Sequence, residues 1–497
     1  MNTSRETELT QRRSTLSAEK RALLEKRLRG EAAGDREKAV AVTPLPRLVP
    51  APAERYTPFP LRDMQRLYWL GRRSPEAGGV SAYFYLETER TDLDLARFQR
   101  AWQRLVERHD MLRAIIRPDG RQQILPQVPP YEMTVLDLTR EEPAVRERAL
   151  AGIRERMSTQ VRPAERWPLF EIRATRLDEH CTRLHFGFDL LLLDLASIEF
   201  LADQWARLYD RPESGLAPLE ISFRDYVLTE QAFCQSDLYT RSLDYWQKRL
   251  PTLPLPPPLP RARQPAALQT LLFTHREGRL EPAAWQAIKQ RAKAEGLTPS
   301  LVVLTVFADI LTQWSGNAHF LIQSTLFQRL PFHPRINEVM GQFTSMILLE
   351  VDNRAGDTLL ARGQRLEKQL WKDLEHSYVN GAQLLQEFTP GMSTASIVFT
   401  SALAHFEEFT AEGHIPPLAW LGKPIYSITQ QPQAGLEHMV AENAGALEFH
   451  WVAAEGLFAP GLIEPMFSAY CKCLHRLAED TDSWFAGIPG SIAGTVG

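Results

Sequence analysis

Seven prolines crowd residues 250–265 (Pro251, Pro254, Pro256, Pro257, Pro258, Pro260 and Pro265). Each ring fixes φ and removes a backbone donor, so neither a helix interior nor a central strand runs through this stretch. A chain of 497 residues interrupted there falls into two parts, each the size of an ordinary domain. A second proline-rich stretch, with Pro44, Pro46, Pro50, Pro52 and Pro58 and little periodicity, reads as a linker. The expected organisation is a charged leader over 1–30, a linker over 31–58, an N-terminal lobe over 59–249, an inter-lobe linker over 250–265, a C-terminal lobe over 266–485 and a tail over 486–497.

Both lobes alternate two kinds of hydrophobic pattern. The N-terminal part predicts strands over 82–86 and 184–188 and helices over 95–108 and 197–209. The C-terminal part predicts helices over 282–295, 299–314 and 359–375 and strands over 320–326, 346–351, 397–401 and 447–451. Such alternation points to two layered α/β lobes. Trp102, Trp205 and Trp246 are expected in the core.

With 44% hydrophobic and 24% charged residues, the chain has enough apolar material to fold. Its 57 bases against 61 acids, a net charge of −4, exclude a global cationic field for a nucleic acid or an anionic membrane. Residues 16–29 pattern as a helix too short to be stable alone, either a frayed leader or an element that docks on another polypeptide. Cys181, Cys234, Cys471 and Cys473 show no zinc-knuckle spacing. The first residues lack the apolar run of a signal peptide, and polar residues interrupt the apolar segment 297–314 as in a buried globular helix. A cytoplasmic protein is expected.

Standard catalytic signatures are absent: there is no G-x-S-x-G elbow, phosphate-binding glycine loop, H-E-x-x-H or dinucleotide fingerprint. Two carboxylates stand out, Asp189 and Asp194, flanking four leucines between a predicted strand and helix. Asp194 suits an N-cap, and Asp189 a strand end where functional groups of α/β folds gather. His109 and His438 read as satisfying local hydrogen bonds rather than as catalysts.

Read with other segments, this pair resembles the heterocyclization domains of nonribosomal peptide synthetases, within the condensation-domain superfamily. The family opening F-P-L-T-x-x-Q-x-A-Y-x-x-G-R is similar to residues 59–72, departing at Arg62 and Leu67. Arg108-His109-Asp110-Met111-Leu112-Arg113 matches the next motif, and Asp189, Asp194 and Ser197 match D-x-x-x-x-D-x-x-S. The proline-rich L-P-x-x-P-x-L-P falls on 250–260, the T-P…L-x-x-W helix on 298–314, and F-T-S on Phe399-Thr400-Ser401. Ordinary condensation domains carry H-H-x-x-x-D-G where this chain has Asp189-Leu190, and leucine cannot exchange a proton.

The resemblance implies an α/β fold of two chloramphenicol-acetyltransferase-like lobes forming a pseudo-dimer with a central tunnel. It further implies that 4′-phosphopantetheine arms of upstream donor and downstream acceptor carrier proteins enter this tunnel, the domain itself binding no cofactor or metal. No serine stands in a carrier-type context, so substrates are expected to arrive on other domains or proteins. The donor would be an acyl or peptidyl thioester and the acceptor cysteine, serine or threonine; condensation and loss of water would give a thiazoline or oxazoline. The alternative is a condensation-only or non-catalytic gating module. Within the family, the threonine of F-T-S and an aspartate of T-P-Q-V-W-L-D-H-Q are credited with the cyclodehydration. They fall on Thr400 and Glu437. Two further departures are Gln328, for asparagine in T-L-F-N-R, and Gln342, for aspartate in G-D-F-T-S. Thr400, Glu437 and Gln328 are the implied catalytic residues, with Asp189, Asp194, Ser197, Gln342 and Ser401 as motif positions. Asp189 and Asp194 either transfer protons or hold the tunnel together through hydrogen bonds and an arginine partner, in which case Asp194→Ala would misassemble the site.

Overall fold

A computed structural model describes residues 45–73, 81–262, 273–388, 396–403, 417–431 and 434–488. The leader helix expected over 16–29 and part of the linkers and tail lie outside the described residues. Up to the proline run the elements are β1 (Phe59–Pro60), α1 (Asp63–Arg73), β2 (Tyr83–Thr91), α2 (Leu95–Arg108), β3 (Ala114–Ile116), β4 (Arg121–Ile124), β5 (Thr134–Asp137), α3 (Pro143–Thr159), β6 (Phe170–Arg176), β7 (Cys181–Asp189), α4 (Leu195–Asp210), α5 (Phe223–Phe233) and α6 (Asp237–Arg249). After it come β8 (Phe273–Leu280), α7 (Pro282–Ala294), α8 (Pro299–Ser315), β9 (His319–Phe327), β10 (Thr344–Asp352), α9 (Leu359–Glu375), α10 (Gly381–Phe388), β11 (Ser396–Ser401), α11 (Pro417–Trp420), β12 (Lys423–Gln430), β13 (Ala434–Asn443), β14 (Ala446–Ala454) and α12 (Ile463–Glu479).

Local chemistry explains the helix ends. Asp94 caps α2, its side chain accepting from the Arg97 amide at 2.9 Å. Phe98, Ala101, Trp102 and Leu105 then bury one helical stripe. Pro299 opens α8, where a missing N–H costs nothing, and Gly316 at φ +65° closes it. Asp194 caps α4, which begins two residues ahead of the expected start at 197.

The first sheet runs β12-β2-β7-β6-β5. Helices α2 and α4 pack together through Trp205, whose ring centroid lies 4.1 Å from Phe98 and 4.6 Å from Trp102. Trp102, Trp205 and Trp246 are all buried. The second sheet runs β10-β9-β11-β13-β14-β8. Phe307 of α8 and Tyr470 of α12 pack on it around His438. A small sheet, β1-β4-β3, lies apart from both. The α/β class and the two facing lobes agree with expectation.

One element departs from a simple division at residues 250–265. Strand β12 follows the proline run in sequence, yet it pairs antiparallel with β2, from Lys423↔Glu89 to Gln430↔Tyr83. It therefore extends the first sheet rather than the second. Gly422 makes the entry possible: its φ is +125°, and a Cβ there would meet the Glu89 carbonyl oxygen at 2.4 Å.

Candidate active site

The site starts from the period of two in β11 and β13, which lie parallel with Phe399 beside His438 and Thr400 beside Met439. Phe399 and His438 point to the helical side, where His438 meets the rings of Phe307, Tyr470 and Trp451. Both of its ring nitrogens are buried without a partner, and burial holds its pKa well below that of ordinary histidine. It is a neutral core residue, and the local hydrogen bonds expected for it are not made. Thr400, Glu437 and Met439 therefore face the other way, toward the N-terminal lobe.

Thr400 Oγ1 lies 2.9 Å from Thr325 Oγ1 and 3.3 Å from Glu437 Oε1. Gln431 Nε2 donates to the same Oε1 at 2.9 Å. Glu437 Oε2 is buried with no partner. Burial raises the Glu437 pKa to about 7, and the Thr400 hydroxyl opposes the shift only in part. Burial thus favours the neutral carboxyl far more than in an ordinary glutamate, which suits a group that gives and takes protons in turn. Although one methylene longer than aspartate, it still reaches Thr400.

These residues line a cavity of about 530 Å³ between the lobes, together with Tyr68, Leu190, Asp194, Phe327 and Gln342. Burial, with the Glu437 and Asp194 charges after it, raises the Tyr68 pKa and keeps the phenol protonated. Leu190, beside Asp189, lies on the wall of this cavity.

The aspartates are tied to the framework. Asp189 Oδ2 accepts from Arg72 at 2.9 Å and Ser81 at 3.0 Å, and its Oδ1 from the Leu191 amide at 3.0 Å. Asp194 Oδ1 accepts from the Ser197 amide at 2.8 Å and Oδ2 from the Phe343 amide at 3.2 Å, with Arg329 at 3.7 Å. Ser197 Oγ donates to the Gly341 carbonyl at 2.9 Å and accepts from Arg329 at 2.9 Å. The start of α4 is thereby joined to the strand-to-strand connection of the other lobe. Gln342 Nε2 donates across the same junction to the Leu190 carbonyl at 2.8 Å. Ser401 lies 2.8 Å from Ser300 Oγ at the start of α8, outside the cavity lining.

Gln328 is not brought to Thr400 and Glu437. It follows the end of β9, contacts Ser377 Oγ at 3.3 Å and lines a second cavity with Arg62, Asp63, Glu230 and Asn380. His109 bonds Gln204 at 2.7 Å, as expected. Three site residues lie outside those expected from the sequence: Tyr68, Thr325 and Gln431. All three occur inside segments that match family motifs, but nothing local to those segments shows that they meet at one cavity.

Residues 56–487 match the condensation domain family. The chain belongs to that family. Over 435 residues it is 36% identical to pyochelin synthetase PchF of Pseudomonas aeruginosa (strain UCBPP-PA14), covering 86% of this chain and 24% of that protein. Over 442 residues it is 34% identical to phenyloxazoline synthase MbtB of Mycobacterium tuberculosis (strain ATCC 25618 / H37Rv), covering 88% of this chain and 31% of that protein. The chain thus spans under a third of these relatives. The EpoB NRPS cyclization-docking bidomain from Sorangium cellulosum, in its monoclinic crystal form, is similar with a TM-score of 0.80 and 36% identity, over 98% of this chain and 94% of that one. Among the described residues, no single helix is long and apolar enough to cross a membrane.

Proposed function

We propose that this domain condenses a carrier-bound acyl or peptidyl thioester with carrier-bound cysteine, serine or threonine, then cyclodehydrates the amide to a thiazoline or oxazoline. The observation that carries the ring-forming part is the Thr400–Glu437–Gln431 cluster, which sets a buried carboxyl group with one unpartnered oxygen in the cavity between the lobes.

In the first step the acceptor amine attacks the donor thioester carbonyl, a C–N bond forms and the donor thiol leaves. This step is downhill, and holding both pantetheine arms supplies most of what it needs. In the second, the side-chain sulfur or oxygen attacks the new amide carbon while its proton passes to the carbonyl oxygen. In the third, the C–OH bond breaks. Glu437 Oε2 gives a proton to the departing water, and the carboxylate left behind takes the proton from nitrogen as the C=N bond forms. Thr400 and Gln431 hold Oε1, which leaves Oε2 for the substrate. Asp189 and Asp194 position the framework and move no proton.

The acceptor arm, ending in a small amine, enters past the polar cavity of Arg62, Asp63, Glu230 and Gln328. The donor arm enters by the apolar cavity that shares Phe84, Leu195, Thr429 and Met439 with the central one. Residues 1–30 dock on an upstream synthase, so deleting them weakens coupling to that partner and leaves activity on freely supplied carriers. The main test is mass spectrometry with donor-loaded and cysteinyl-loaded carriers. The expected product is one water lighter than the open amide; open amide alone overturns the cyclodehydrating role, and no product with intact carrier binding indicates a gating module.

A further inference from the structure

The central cavity opens into a larger one, of about 1250 Å³, with Phe84, Leu195, Thr429 and Met439 lining both. Its walls come from both lobes and are mainly apolar, with Leu86, Ile428 and Val452 among them. Most ionisable groups on its lining are paired. Glu442 holds Lys289 at 2.9 Å, Glu448 holds Arg279 at 2.7 Å, and His275 lies 3.0 Å from His450.

Glu199 differs. It sits one turn after Leu195 on α4, so both side chains share the face toward the cavity. The residue is only 1% exposed, and neither carboxyl oxygen has a hydrogen-bond partner. Burial, and next the charge of Asp194, raise its pKa well above the ordinary carboxylate range. An unpartnered polar group inside a core destabilises the fold, and a leucine would fill the position without that cost.

Building on the donor assignment above, we propose that Glu199 is the polar anchor of a donor pocket: its carboxyl O–H donates to a hydrogen-bond acceptor carried on an otherwise apolar, uncharged acyl group. An acyl chain lying against these apolar walls displaces water from Glu199, so the one hydrogen bond discriminates between acyl groups. An anionic acyl group is disfavoured, because Asp194 stands in the adjoining central cavity and the larger cavity has no lysine or arginine among its described lining residues.

The test uses the full chain with two probes of equal length, hexanoyl and 5-oxohexanoyl, each presented as a pantetheine thioester and as a non-transferable pantetheine amide. Amide formation with a cysteinyl carrier gives kcat/KM, and calorimetry on the amides gives Kd. The wild type is expected to favour the 5-oxo probe about tenfold or more in both measurements. Glu199→Leu should bring the ratio of the two probes to about one, and Glu199→Gln, which still donates through N–H, should keep most of the preference. A preference that survives Glu199→Leu, equal handling by the wild type, or an equal fall for both probes in both variants overturns the proposal. If no amide forms but the Kd preference follows this pattern, the pocket assignment stands and the condensing function fails.

Discussion

At the residue scale the two oxygens of Glu437 have separate duties. Oε1 accepts from Gln431 and Thr400, and Oε2 has no protein partner. Glu437→Gln keeps the shape but cannot cycle a proton, so the ring-to-amide ratio should fall by about a hundredfold or more while amide formation stays within a few-fold. Glu437→Asp should also fall, by about ten- to a hundredfold, because the shorter side chain withdraws the carboxyl from Thr400. Both are read by mass spectrometry of the carrier-bound product. With the neutral form supplying the proton for water loss, the ratio in the wild type should decline as pH rises through about 7, the pKa set by burial. The Glu437→Gln ratio should be flat over the same range. Stability follows with a definite sign. The folded pKa of about 7 lies above the ordinary 4.5, so the folded state binds the extra proton between these values. The contribution is fully present below pH 4.5 and is lost as pH rises through 7, on the order of 3 kcal/mol in total. Denaturant titrations of wild type and Glu437→Gln should therefore diverge across that window and run parallel outside it.

At the element scale the start of α4 does two jobs with one side chain, capping the helix and receiving the Phe343 amide of the other lobe. Asp194→Ala removes the cap and leaves the Arg329 guanidinium with one fewer partner in a buried place. A loss of roughly 3 kcal/mol is expected, and Asp194→Asn should lose less because its amide oxygen still caps. Denaturant unfolding checks both, and a small loss in Asp194→Ala with a large loss of ring formation would instead give Asp194 a chemical part. The elements also show what a sequence reveals. Helix α2 was legible to the residue because its cap, stripe and stop are all local. So were α8 and α9, within a residue at their ends. Strand β12 was not legible in its placement: its partner, β2, lies more than three hundred residues earlier, and no local pattern names a partner at that separation. The same limit applies to the site. Thr400 and Glu437 were found by their motifs, whereas the distance of Gln328 from them depends on where β9 ends.

At the scale of the whole molecule, β12 extends the first sheet while β11 and β13 on either side of it stay in the second. The lobes are thus held across one side of the cleft by main-chain hydrogen bonds, and on another by the Asp194–Ser197–Arg329 junction. Two unlike cavities accompany the central one, an apolar one at Glu199 that shares its lining and a polar one at Gln328. On the proposed function, a residue of either outer cavity should affect how one arm is held, and a residue of the central cavity what happens to both substrates once they meet. The Gln328→Ala variant separates these roles. Placed at the polar cavity, it should raise KM for the cysteinyl carrier several-fold, leave KM for the donor carrier unchanged and leave the ring-to-amide ratio as in the wild type. A lowered ratio with both KM values intact would return Gln328 to the chemistry. It would mean that the substrate, once bound, draws the end of β9 toward Thr400.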